Sequence, residues 1–149
     1  MKMIFSKYQF IGGLIFGLIN SLSYASGPIL HFTPSSGLYP PTTTVLIGDQ
    51  ASIKYTITNL SPITHTLKLV PQVGLYQAYY GPSAGPDFQF DCQFVFSLRY
   101  QEFCTLELFV NGDPAVGNVV GGPVVCEQGN PLQCYEPNPG SQLNVTVVP

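Results

Sequence analysis

DCQFVFSLRYQEFCTLELFV, residues 91 to 110, decides how the rest of this chain is read. Its first half sets Cys92, Phe94, Phe96 and Leu98 at every second position, and its second half repeats the pattern with Cys104, Leu106, Leu108 and Val110. Successive side chains on a strand point to opposite faces, so this alternation predicts two strands, each with one buried face. Both cysteines share the phase of the apolar residues. They are therefore expected on the inner face or its rim, where an exported domain can carry a cross-link.

The spacing also limits how these two cysteines can pair. If 92 to 98 and 104 to 110 made a tight hairpin about Tyr100, Cys92 and Cys104 would stand roughly 15 Å apart at the rise of a strand. A disulfide needs Cα atoms within about 7 Å. Pairing Cys92 with Cys104 therefore requires an arch in which the chain leaves one sheet and crosses to another. Cys126 and Cys134 flank Gly129-Asn130-Pro131, so a hairpin folded there sets them opposite each other. The expected bridges are Cys92 with Cys104 and Cys126 with Cys134.

Outward from this stretch, no segment after Ser26 keeps apolar residues at helical spacing over three turns, and prolines or glycines interrupt almost every such window. The chain reads as all-β. Short strands are expected over 29–33, 42–47, 51–58, 64–70 and 142–148. The cleanest is ASIKYTIT, with Ala51, Ile53, Tyr55 and Ile57 on one face. Pro40-Pro41 suits an edge or a strand that changes sheets. Gly117 to Gly122 is a glycine-rich connection, and Leu143, Val145 and Val147 are expected to point inward. About seven short strands at roughly ten-residue spacing predict an antiparallel sandwich.

Residues 1–25 read as a helical signal peptide: Lys2 and Lys7, an apolar run from Phe10 to Ile19, and the small residues Ser23 and Ala25 before a cut after Ala25. That run is shorter than the roughly 20 residues of a spanning helix, so no stable membrane insertion is expected after cleavage. The remaining 26–149 suits one domain. Its three cations, Lys54, Lys68 and Arg99, against eight acids leave a net charge of −5. A nucleic-acid partner needs a basic stripe that this chain lacks. An even number of cysteines behind an export signal predicts two disulfides and a secreted or periplasmic location.

The residues that could carry chemistry read more simply as structure. Gly81-Pro82-Ser83-Ala84-Gly85 has the spacing of a nucleophile elbow, but that device needs a strand before the serine and a helix after it. Here prolines flank it, and a small serine hydrolase using Ser83, Asp87 and a histidine remains a remote alternative. His31 and His65 read as polar strand residues. The cysteine spacings do not match a zinc site, and Asp87, Asp91 and Asp113 lack the run of a calcium loop. No catalytic, cofactor-binding or metal-binding residue is expected.

Residues 75–90 are different in kind, with Leu75, Tyr76, Tyr79, Tyr80, Phe88 and Phe90 set among glycine, proline and serine. Long loops of this sort are often functional, and tyrosine gives large contact area for little lost entropy. Tyr76, Tyr79, Tyr80, Phe88 and Phe90 form the expected contact surface for a protein or carbohydrate partner. The competing reading has these rings cap an open end of the core.

Gly48-x4-Ile53-x-Tyr55-x-Ile57-Thr58-Asn59, the following THTLKL, Phe96-x-Leu98 and Cys104-x-Leu106-x-Leu108-x-Val110 together resemble the immunoglobulin-like modules of exported bacterial proteins, including the ASPM/SPD-2/Hydin type. Gly122-Pro123-x2-Cys126, Cys134-Tyr135-x-Pro137 and the final alternation are similar to small secreted proteins of this kind in Gram-negative bacteria. The resemblance implies an immunoglobulin-like β-sandwich and a binding or structural role, with no catalytic residues. The absence of tryptophan departs from antibody-type domains. A non-catalytic recognition module is the first expectation. The alternative is an assembly subunit that pairs through an edge strand, for which QLNVTVV is the candidate.

Overall fold

The computed structural model describes residues 28–78 and 91–149. The signal-peptide reading of 1–25, the serine pattern at 81–85, Asp87, and four of the five expected contact residues, Tyr79, Tyr80, Phe88 and Phe90, lie outside them. Among the described residues eleven strands form: β1 (Leu30–Pro34), β2 (Thr42–Leu46), β3 (Gln50–Asn59), β4 (His65–Leu69), β5 (Leu75–Gln77), β6 (Val95–Leu98), β7 (Phe103–Asn111), β8 (Val119–Val120), β9 (Val125–Glu127), β10 (Asn130–Tyr135) and β11 (Asn144–Val148). The only helical element among them is a 3-10 turn at Pro139–Ser141.

The strands fall into three sheets of order β1-β3-β7-β5, β10-β9-β4-β6 and β2-β11-β8. Eleven strands replace the expected seven: β5, β8, β9 and β10 are short pairings in stretches that the pattern reads as loop, glycine-rich connection and cysteine hairpin. Gly121-Gly122-Pro123 separates β8 from β9. That division changes the strand's neighbour. Before it, Gly121 N–H donates to Leu143 O (2.9 Å) and Leu143 N–H to Gly122 O (3.1 Å). After it, Val70 N–H donates to Val124 O (2.8 Å) and Gln128 N–H to Thr66 O (2.7 Å). The run 119–127 thus links the sheet of β11 to the sheet of β4.

Pairing is not wholly antiparallel as expected, because β2 runs parallel to β11, from Thr42 beside Asn144 to Leu46 beside Val148. With β8 on its other side, the terminal strand is central in its sheet and not an open edge.

All three sheets contribute to one core. Alternation places Ile53, Tyr55 and Ile57 of β3 opposite Leu108, Leu106 and Cys104 of β7, all buried. Leu67 of β4, Phe96 and Leu98 of β6, Val125 of β9 and Val145 of β11 bury their side chains in the same cluster. Phe94 departs from the expected pattern. The chain bends there, just before β6, and the ring is 56% exposed.

Both expected bridges are present. Cys92 and Cys104 are joined with Cα atoms 5.0 Å apart. The arch they required exists, since β6 belongs to the sheet of β4 while β7 belongs to that of β3. Cys126 and Cys134 are joined directly across the β9–β10 pair. Disulfides form and persist in oxidising compartments, which places this fold outside a reducing cytoplasm. Among the described residues no helix is long and apolar enough to cross a membrane.

Two polar positions hold the turns to the strands. Asn59 ends β3 fully buried, on the face that alternation assigns to the core. Its Nδ2 donates to the carbonyls of Ile63 (2.7 Å) and Leu98 (2.9 Å), and its Oδ1 accepts from Ser61 N–H (2.7 Å). Tyr55, also fully buried, donates its hydroxyl proton to Ser141 O (2.7 Å). Burial pushes its phenol well above the ordinary range.

Candidate contact surface

The residues on either side of 79–90 are fixed to the same strand. Ala78 N–H donates to Glu107 O (2.9 Å), and Cys92 N–H donates to Thr105 O (2.8 Å). Asp91 forms a bridge with Thr105, and the Cys92–Cys104 disulfide ties the second flank to β7 again. Gln77 Nε2 donates to Cys92 O (2.9 Å) and Gln93 O (3.1 Å), joining the two flanks. Both flanks, Gln77–Ala78 and Asp91–Gln93, are thus anchored backbone.

Beside these flanks the surface is apolar and aromatic. Tyr76, the one expected contact residue that is described, is 55% exposed on β5, so it does not cap the core. Phe94 and Val95 are 56% and 43% exposed. A groove of about 400 Å³ runs among Leu69, Pro71, Leu75, Tyr76, Phe94 and Val95, with Lys68 and Gln77 on its walls. Lys68, Leu69 and Pro71 continue into a second groove of about 450 Å³, bounded by Val124, Pro131 and the Cys126–Cys134 bridge. Both volumes lie in the range of small-ligand sites. Their described walls carry one cation, Lys68, and are otherwise mostly apolar.

A third hollow, of about 480 Å³, has its described wall residues between Asp91 and Cys104, all but Asp91 within the segment closed by Cys92–Cys104. Phe96 and Phe103 supply apolar surface, and Asp91 and Glu102 supply carboxylates. Burial and then the nearby Glu107 charge hold the Asp91 carboxyl above the usual range, against the opposing pull of Lys54. Val95 borders both this hollow and the Tyr76 groove.

Two further clusters of titratable groups are structural in geometry. On the outer face of β3 and β7, Lys54 Nζ meets Glu107 Oε2 at 3.1 Å, and Ser52 Oγ donates to Glu107 Oε1 at 2.8 Å. The Lys54 ammonium also lies 4.6 Å from the centre of the Tyr39 ring, a cation–π distance. Burial alone lowers the pKa of Lys54, but Glu107 outweighs it and the ammonium is held above its ordinary value. At the other end of the core, His65 Nδ1 is hydrogen-bonded to Glu127 Oε1, which also accepts from the Tyr135 hydroxyl (3.1 Å). Burial, opposed by a hydrogen bond from Gln133 and aided by Glu127, raises the Tyr135 phenol.

The two histidines stand apart in the fold. His31 is exposed on β1 beside Thr33, whereas His65 is buried on β4 in another sheet. Asp113 caps its own turn by accepting from Ala115 N–H (2.8 Å). Among the described residues no group of three His, Cys, Asp or Glu side chains could hold a metal ion. The pattern along the chain identifies none of the Asn59, His65–Glu127 or Lys54–Glu107 contacts, because their partners are distant in sequence. Only the shared outward phase of Lys54 and Glu107 hints at one of them.

No known protein-family model matches the sequence, and no curated protein matches it.

Proposed function

We propose that this chain is an exported, non-catalytic recognition module with an immunoglobulin-like sandwich architecture. In such a sandwich one sheet has strand order A-B-E-D and the facing sheet groups C, F and G. The order β1-β3-β7-β5 supports A-B-E-D. The run 119–127, bonded to β11 on one side and to β4 on the other, supports F between G and C. The departure is that β5, in the D position, precedes β6 in the chain. The two disulfides support export, with 1–25 as the removable leader.

One observation carries the functional reading: exposed Tyr76 and Phe94 line a groove whose neighbouring backbone is pinned by hydrogen bonds and by Cys92–Cys104. Rigid support lowers the entropy lost on binding, and aromatic faces pack on peptide side chains or on the flat faces of sugars. The test combines a glycan array and a peptide array probed with the mature protein, 26–149. The expected result is a ligand whose binding falls at least tenfold in Tyr76→Ala and Phe94→Ala, while each variant keeps the wild-type melting temperature within about 3 °C, the shift of about 0.8 kcal/mol in a domain this size. Ligand binding unaffected by both substitutions refutes the assignment of this surface.

A further inference from the structure

The third hollow lies beside an open strand edge, and the two features together specify a class of ligand. Among the described residues β6 ends its sheet, paired with β4 alone. On β4, Thr66 and Val70 direct backbone groups to the β9 side, through Gln128 N–H to Thr66 O and Val70 N–H to Val124 O. Backbone direction alternates along a strand, so His65 and Leu67 face β6 and bond Leu98 and Phe96, their register partners. Thr66 with Ser97 and Lys68 with Val95 are then the non-bonded pairs. The 2.8 Å contact between the Thr66 and Ser97 hydroxyls fits the closer approach of such a pair. Val95 and Ser97 therefore turn their N–H and C=O groups to the open side. Both residues are exposed, and neither makes another backbone bond among the described residues.

We propose that β6 and this hollow form a docking site for an extended peptide that carries a lysine or arginine. The proposal rests on the recognition reading above and names a partner class for it. A strand laid along β6 bonds Val95 and Ser97, the mode in which main-chain bonds supply affinity and pockets for alternate side chains supply specificity. Its residue opposite Phe96 points to the inner side, as Phe96 does, and so enters the hollow beside Phe103 and Cys104. A long basic side chain suits that space. Its aliphatic stem covers Phe103 and Cys104, and its charged end reaches the carboxylates of Asp91 and Glu102. Asp91 lines the hollow, and among the described residues its buried Oδ2 has no hydrogen-bond partner, so a cation beside this carboxylate offsets charge that those residues leave unmet. Glu102 Oε2 already accepts from Arg99 N–H (2.8 Å), and its second oxygen remains to take a donor. The Cys92–Cys104 bridge closes the segment that carries the described wall residues other than Asp91, which preorganises the site.

The test uses the mature protein with both disulfides intact and capped heptapeptides of alternating Val and Thr with one central Lys. Binding is followed by amide chemical shifts in a heteronuclear NMR titration. The expected result is saturable shifts centred on Val95, Ser97 and Glu102. Central Lys→Glu weakens binding at least tenfold, as do Asp91→Asn and Glu102→Gln combined in the protein. N-methylation at alternate peptide residues weakens binding at least tenfold in one phase and less than twofold in the other, which a ligand held only by side chains does not show. No saturable shifts at millimolar peptide, or equal binding by the Lys and Glu peptides, overturns the proposal. A ligand found on the arrays that depends on Tyr76 and Phe94 keeps the recognition reading standing even if these peptides fail.

Discussion

Asn59→Ala removes the polar centre of the fold, and its cost can be worked from the contacts. The side chain makes three hydrogen bonds: two donated to the carbonyls of Ile63 and Leu98, and one accepted from Ser61 N–H. The Ile63 and Ser61 partners are partly exposed, so water can replace Asn59 there and each loss costs about 0.5–1 kcal/mol. The bond to Leu98 O is buried, and leaving that acceptor unmet costs about 1–3 kcal/mol. The sum is about 3 kcal/mol, a large share of the 5–15 kcal/mol typical of a domain. Loss of that size lowers the melting temperature by roughly 10–20 °C. The assay is urea denaturation of the oxidised mature chain, followed by tyrosine fluorescence, with thermal melting alongside. Asn59→Asp is the companion variant. It keeps the acceptor for Ser61 but turns a carboxylate oxygen toward two carbonyls, so at neutral pH it should be at least as unstable as the alanine variant. An Asn59→Ala protein within 1 kcal/mol of wild type would show that the two turns stand without this side chain, and the account of the buried hub would be wrong.

Gly112 is expected to tolerate no side chain, because a Cβ there would lie 1.9 Å from the Leu46 carbonyl oxygen, a backbone atom that cannot swing away. Gly112→Ala should cost about 3 kcal/mol or prevent folding, whereas Gly140→Ala, where a Cβ meets nothing within 4 Å, should leave the urea midpoint nearly unchanged. Asp91 predicts a pH dependence of known sign. The folded state holds this carboxyl protonated to higher pH than the unfolded chain does, so it favours folding below the ordinary carboxylate value of about 4 and loses that advantage as pH rises through the raised folded value. Asp91→Asn should therefore raise the melting temperature at pH 7, and the gain should vanish in melts below about pH 4. A gain that persists at low pH would assign the effect to packing instead of charge.

The alternation of ASIKYTIT fixed in advance that Ile53, Tyr55 and Ile57 of β3 are buried, because the two faces of a strand follow from local geometry alone. The arch that a Cys92–Cys104 bridge needs was equally legible, since strand rise rules out that bridge in a tight hairpin. Prolines and glycines announced breaks but not their consequence. Nothing local says that residues 119–127 change neighbours at Gly121–Pro123, or that β2 lies parallel to β11, because those partners are chosen by contacts far along the chain. Phe94 shows the limit most plainly: its position continues the buried phase, yet a bend beside the disulfide turns the ring outward next to Tyr76. The open edge of β6 and the carboxylates of Asp91 and Glu102 come together only when the arch closes. The sequence determined the β class, most core faces and the sulfur pairing, which depend on near neighbours and chain reach. Tertiary structure alone decided which edges stay unpaired and which polar groups meet, because hydrogen bonds between sheets join residues with no shared local signal.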